Sequence, residues 1–112
     1  MENKLNEIIE TMEDYLELVG NDCGYNKKAI KKFNKISMKY LKKVNHCQTL
    51  NKFIDISIEY IKKLNILNDK YNNELIETDQ RELIVSMIFE AADQQNIDID
   101  IDEDFTLEYR EW

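Results

Sequence analysis

From the amino terminus, Leu5, Ile8, Ile9, Met12, Tyr15, Leu16 and Val19 recur at three- and four-residue steps, while Glu2, Glu7, Glu10, Glu13, Asp14 and Glu17 fill most of the other face. That period lines the apolar groups along one side of a helix and predicts α-structure from about Glu2 to Val19. Gly20 accepts the left-handed backbone that ends helices, and Gly20-Asn-Asp-Cys-Gly24 reads as a turn. Asn26 then offers a side-chain oxygen to cap a second helix whose stripe is Ile30, Phe33, Ile36, Tyr40, Leu41 and Val44.

Asn45-His-Cys-Gln48 interrupts the pattern, and Thr49 is a cap for a third helix over about Leu50 to Leu67. Its apolar set, Leu50, Phe53, Ile54, Ile58, Ile61 and Leu64 with Ile56 and Leu67 beside them, is wider than one stripe. This predicts a central helix touched on more than one side. Asn68 to Asn73 is polar and asparagine-rich, which predicts a loop, with Glu74 to Glu77 as a short extended link. Thr78 or Asp79 is expected to cap a fourth helix, and Asp79-Gln-Arg-Glu82 has the form of a capping box. Leu83, Ile84, Met87, Ile88 and Ala91 face inward, with Val85 and Phe89 directed at a second neighbour, and Gln94-Gln-Asn96 closes the helix.

After Asn96 the period changes to two. Ile97, Ile99 and Ile101 alternate with Asp98, Asp100 and Asp102, and Phe105, Leu107, Tyr109 and Trp112 follow among further acids. A solvated acidic tail has no use for so much apolar surface. The segment is therefore expected to lie extended in a groove between helices, apolar side chains inward and carboxylates outward. Pairing with Glu74 to Glu77 in a minimal ribbon is the alternative. From Asp104 the spacing of Phe105, Tyr109 and Trp112 returns to helical steps and predicts a short terminal helix. The expected fold is all-α: one domain over residues 1–112, a bundle of four main helices with an extended acidic C-terminal strap.

Composition agrees with that expectation. With 43 % apolar and 34 % charged residues, no proline and two glycines, the chain has a soluble protein's balance and few helix breakers. Met1 is followed by Glu2-Asn3-Lys4 rather than a basic segment and an apolar run, so a cytoplasmic location is expected, with no membrane partner. Cys23 and Cys47 flank the second helix, whose ends lie roughly 25 Å apart, against about 6 Å between the Cα atoms of a disulfide. Neither a bridge nor a metal site shared by the two thiols is expected.

The net charge of -8 is unevenly distributed. Between Gly24 and Val44 stand Lys27, Lys28, Lys31, Lys32, Lys35, Lys39, Lys42 and Lys43 with no acid, whereas from Tyr71 onward thirteen acids face only Arg81 and Arg110. The simplest use of this polarity places the acidic end across or near the lysine helix.

Asp100, Asp102 and Asp104 match positions one, three and five of a calcium loop, with Leu107 at the eighth and Glu111 at the twelfth. Phe105 stands where the turn requires glycine, and Trp112 leaves no exit helix, so a solvated acidic edge is the better reading. The lysine face lacks arginine for bidentate base contacts and belongs to an acidic chain, which argues against nucleic acid. His46, the single histidine, lies in a loop beside Cys47. Nucleophile–base–orienter patterns, paired metal ligands and phosphate loops are not evident, so the reading is of a protein that is not an enzyme and needs no cofactor.

Ile76-Glu-Thr-Asp-Gln-Arg-Glu82 and Leu107-Glu-Tyr-Arg-Glu-Trp112 resemble elements of small uncharacterised bacterial proteins that carry E-T-D-Q-R-E and end in E-x-R-E-W. The resemblance covers mainly the C-terminal third and implies a compact bacterial cytosolic protein with no assigned activity. By size and charge the chain also looks like immunity proteins, which neutralise basic toxin domains. The expected function is non-catalytic binding of a basic protein through Asp98, Asp100, Asp102, Glu103 and Asp104. The alternatives are a self-associating structural protein in which the strap of one subunit crosses the lysine helix of another, or an uncharacterised helical protein without a small-molecule site.

Overall fold

The computed structural model describes residues 2–100 and 102–112, so the expectation for Ile101 lies outside the described residues. The chain forms α1 (Glu2–Val19), α2 (Lys27–Val44), α3 (Leu50–Lys70) and α4 (Thr78–Gln94), then an irregular strap that ends in a 3₁₀ turn at Phe105–Glu108. Among the described residues there is no strand, and the fold is an all-α bundle of four helices.

The helices start where side chains satisfy their first N–H groups. Asn26 Oδ1 accepts from Ala29 N–H at 3.1 Å, and Thr49 Oγ1 accepts from Lys52 N–H at 3.2 Å. The fourth helix differs from expectation. Its capping pair is Glu77 and Gln80, with Gln80 Oε1 accepting from Glu77 N–H at 3.0 Å, so the box sits two residues before Asp79 and Glu82. The exchange also has a tertiary cause, since Gln80 is buried and its Nε2 donates to Thr11 Oγ1 of α1 at 3.1 Å.

Three helix ends use left-handed residues. Gly20 at φ +65° closes α1 as expected. At the end of α3, Asn72 at φ +60° allows Asn73 N–H to reach Asn68 O at 2.8 Å. At the end of α4, Asn96 at φ +57° allows Ile97 N–H to reach Ala92 O at 2.9 Å, while Asn96 N–H bonds Asp93 O. This Schellman closure turns the chain so that Ile97 is buried, and it fixes where the strap begins.

The third helix runs to Lys70, past the expected end at Leu67. Asn68 is not a loop residue: it is 1 % exposed, and its Oδ1 accepts from Ile76 N–H at 2.9 Å. That bond folds the link at Glu74–Glu77 back against the helix and buries Leu75 and Ile76.

One core joins all four helices and the strap. Its fully enclosed side chains include Leu5, Ile8 and Met12 of α1, Phe33 of α2, Phe53, Ile61 and Leu64 of α3, and Ile84, Met87 and Ile88 of α4. The central helix is α2, which touches α1, α3 and α4, whereas α3 was expected to hold that place. The breadth of the apolar set on α3 still reflects contact with more than one element, α2 and the strap. Part of it receives the strap, while Leu50 and Ile66 remain exposed.

Two buried tyrosines fix α2 against α3. The rings of Tyr40 and Tyr60 stack at 4.2 Å with planes 6° apart. Tyr40 Oη pairs with Ser57 Oγ and Tyr60 Oη with Ser37 Oγ, each at 2.6 Å, so both phenols are satisfied within the core. Burial pushes both well above the usual phenol range and keeps them neutral.

Candidate functional site

The strap docks on the core, and its terminal turn contacts α3. Ile97 is buried, Ile99 is half-buried against the core, and Asp98 and Asp100 between and after them are exposed, as an inward–outward alternation requires. Phe105 inserts between two helices, with its ring centroid 6.3 Å from Phe53 of α3 and 6.0 Å from Phe89 of α4, edge-on to both. Tyr109 and Trp112 are half-buried against the same core, whereas Leu107 is 66 % exposed and departs from the inward reading.

Asn65 of α3 holds the end of the chain. Its Nδ2 donates to Tyr109 O at 2.8 Å and to Glu111 Oε2 at 3.2 Å, and its Oδ1 accepts from Glu111 N–H at 3.1 Å. No ion pair joins the strap to a lysine of α2 among the described residues, which corrects the expectation that the acidic end neutralises that helix. Aromatic burial and amide bonding decide the path. Charges beyond about 10 Å are largely screened at ordinary ionic strength.

Asp104 also departs from its expected place on an outward edge. One of its oxygens accepts from Thr106 N–H at 2.9 Å and from the Thr106 hydroxyl. The other takes Arg110 Nη2 at 2.8 Å in the best-shielded ion pair among those described. Arg110 Nε donates to Thr106 Oγ1 and Nη1 to Trp112 O, each at 3.0 Å, with the guanidinium 5.5 Å from the Trp112 ring. Thr106 is fully buried at the centre of this clasp. The fifth position of the calcium pattern is thus turned to an arginine, and Asp100 uses Oδ1 to accept from Asp102 N–H at 2.9 Å. The described acids do not converge on a common point.

Partial desolvation works to raise the Asp104 pKa, but the bonds from Thr106 and Arg110 outweigh it and hold the carboxyl below its usual range. A group depressed in this way contributes stability above the unfolded-state value, about 4, and loses it as pH falls through the lower folded value. Hydrogen exchange at the Thr106 and Arg110 amides is therefore expected to quicken as pH drops below about 4, after correction for intrinsic rates. An Asp104→Asn variant should show weak protection already at neutral pH and a flat profile through that window.

The remaining acids form a rim. Asp98, Asp100, Asp102 and Glu103 are exposed, and Asp98, Asp100, Glu103, Glu108 and the half-buried Asp104 line a depression of about 570 Å³ floored by Leu50, Ile54, Ile99 and Phe105. Asp102 is exposed beside it. The sequence reading missed Leu50 and Glu108 as parts of this surface, because the start of α3 meets the strap only in the folded chain. Carboxylates around an apolar floor suit a long cationic side chain, whose methylene stem covers the floor while its head meets the acids.

A second concavity, absent from the sequence reading, lies between α2 and α3. It encloses about 650 Å³, has lysines from both helices along its edges, and is floored by isoleucines and the stacked tyrosine pair. His46 is exposed, and Cys47 is a buried free thiol beside it whose Sγ faces Thr49 O at 3.6 Å. Cys23 is likewise free.

No protein-family model matches the chain, and neither a curated protein nor a solved structure matches it. Among the described residues, no helix is long and apolar enough to cross a membrane.

Proposed function

We propose that the chain is a non-catalytic binding protein that engages a basic protein partner through the acidic rim. The observation that carries this reading is the exposure of Asp98, Asp100, Asp102 and Glu103 beside an apolar-floored depression, held there by a strap whose aromatic side faces the core. Docking leaves these carboxylates facing water, available to steer and orient a cationic surface. Leu50, 41 % exposed, supplies apolar contact on the floor of the same depression. Within this reading the protein works in the bacterial cytoplasm in the manner of an immunity protein, with the rim covering a basic toxin-like domain.

The test is affinity capture at low salt from cells that make the protein, followed by a salt gradient. A basic protein should be retained and should elute as ionic strength rises, because exposed ion pairs weaken with screening. Substituting Asp98→Asn, Asp100→Asn, Asp102→Asn and Glu103→Gln together should abolish retention without altering the melting curve. Retention of the partner by that variant at the same salt would exclude the rim.

A further inference from the structure

We infer that the lysine-edged groove between α2 and α3 is a docking site for an acidic amphipathic helix of a partner protein. This surface is separate from the acidic rim, and the inference stands independently of the function proposed above.

The groove follows the two helices for most of the length of α2. Lys28, Lys32, Lys35, Lys39 and Lys43 recur along one edge at three- and four-residue steps, a span of about 22 Å or four helical turns. Lys63 and Lys70 stand on the α3 side. Among the described residues lining it, Glu59 is the one carboxylate, paired with Lys43 at 3.3 Å and with Lys63 at 3.2 Å. Lys28, Lys32, Lys35, Lys39 and Lys70 have no ion pair among the described residues. Like charges one turn apart repel, so the apo protein carries an electrostatic cost that carboxylates laid along the groove would relieve.

The floor selects the kind of anion. Ile36 and Ile56 are half-buried there with the buried Tyr40 and Tyr60, and Ile66, 73 % exposed, lines the same groove. A phosphate backbone would use the amines and leave the isoleucines wet, and no arginine lines the groove. A helix with an apolar stripe flanked by acids satisfies both the floor and the edges, which is the helix-in-groove mode of recognition. The Ser–Tyr pairs beneath hold α2 and α3 together before anything binds, which lowers the ordering cost of association.

The chain's own acidic helix is a poorer occupant. Glu7, Glu10, Asp14 and Glu17 of α1 are exposed, but Leu5, Ile8 and Met12 of that helix are already in the core, and the large apolar groups it exposes, Tyr15 and Leu18, lie only toward its C-terminal end, too short a stripe for the length of the groove.

The experiment uses a fluorescein-labelled synthetic peptide of about 18 residues, five turns, with leucines at three- and four-residue steps and glutamates elsewhere. A control peptide has the same composition with its leucines scattered. Anisotropy titration should show saturable, salt-sensitive binding of the striped peptide, about tenfold tighter than the control. The Lys32→Glu/Lys39→Glu and Ile66→Glu variants should each weaken binding by about tenfold or more, a loss appropriate to central interface contacts. All three side chains are exposed, so melting curves should confirm that the variants fold.

Equal affinity for both peptides, or unchanged affinity in the variants, would overturn the proposal. Tighter binding of an 18-base-pair DNA duplex than of the striped peptide would reassign the groove to nucleic acid. Sedimentation showing a dimer that the Lys32→Glu/Lys39→Glu change dissolves would reassign it to a second copy of this chain.

Discussion

Deleting Phe105 to Trp112 is expected to lower the melting temperature by about 10–15 °C, with the helical circular dichroism of the remaining bundle retained at low temperature. The deletion uncovers Phe53 and Phe89, between which the Phe105 ring lies, and removes the half-buried Tyr109 and Trp112. Half-burial of each aromatic contributes on the order of 1 kcal/mol, and the bonds to Asn65 a similar amount each. A loss of about 3–4 kcal/mol corresponds to that temperature shift in a chain of this size. The Asp104–Arg110 clasp is lost with the deletion, but it ties the strap mainly to itself and adds less to the total. A melting curve that did not move would show that the segment packs without stabilising the bundle.

The second large effect concerns one residue. Asn65→Ala should destabilise the full chain by about 2–3 kcal/mol, because Tyr109 O and Glu111 N–H lose their partner at a site where Asn65 is only 7 % exposed. In the chain lacking Phe105 to Trp112 the same change should cost nearly nothing, since the amide then faces water and alanine has the higher helix propensity. Urea denaturation of the four proteins closes the cycle. A coupling energy of about 2 kcal/mol is expected, and additivity of the two changes would show that Asn65 does not anchor the strap.

The parts of the fold that repeat locally were legible in the sequence. The stripes of α1 and α2 and the caps at Asn26 and Thr49 depend on residues within a turn or two of one another, and each appears where the spacing places it. Asn68 was misread because the asparagine that favours a loop is also a side chain able to accept a backbone N–H from eight residues away, and only the folded chain shows which use prevails. The exchange of Asp79–Glu82 for Glu77–Gln80 has the same origin, since Thr11 of α1 rewards the burial of Gln80.

The candidate site was legible in its chemistry and less so in its placement. The alternation of isoleucine and aspartate correctly put Ile97 inward and Asp98 outward. It did not reveal that Asp104 would turn toward Arg110, because a capping aspartate and a rim aspartate look alike until the Thr106 hydroxyl and the guanidinium meet it. Summed charge suggested that acids and lysines would meet, yet short-range packing of Phe105 and the Asn65 amide carried the strap elsewhere. The lysine groove required the register of α2 against α3, which the pattern within either helix does not contain.

The clasp also makes the chain self-reporting. Trp112 is the single tryptophan of the sequence, half-buried under Arg110 with its indole N–H shielded from solvent. Its emission therefore monitors the docking of the C-terminal end alone, while circular dichroism follows the four helices. Peeling of the end before global melting would register as a red shift preceding the loss of ellipticity, so a spectrofluorimeter can time the two events without an added label.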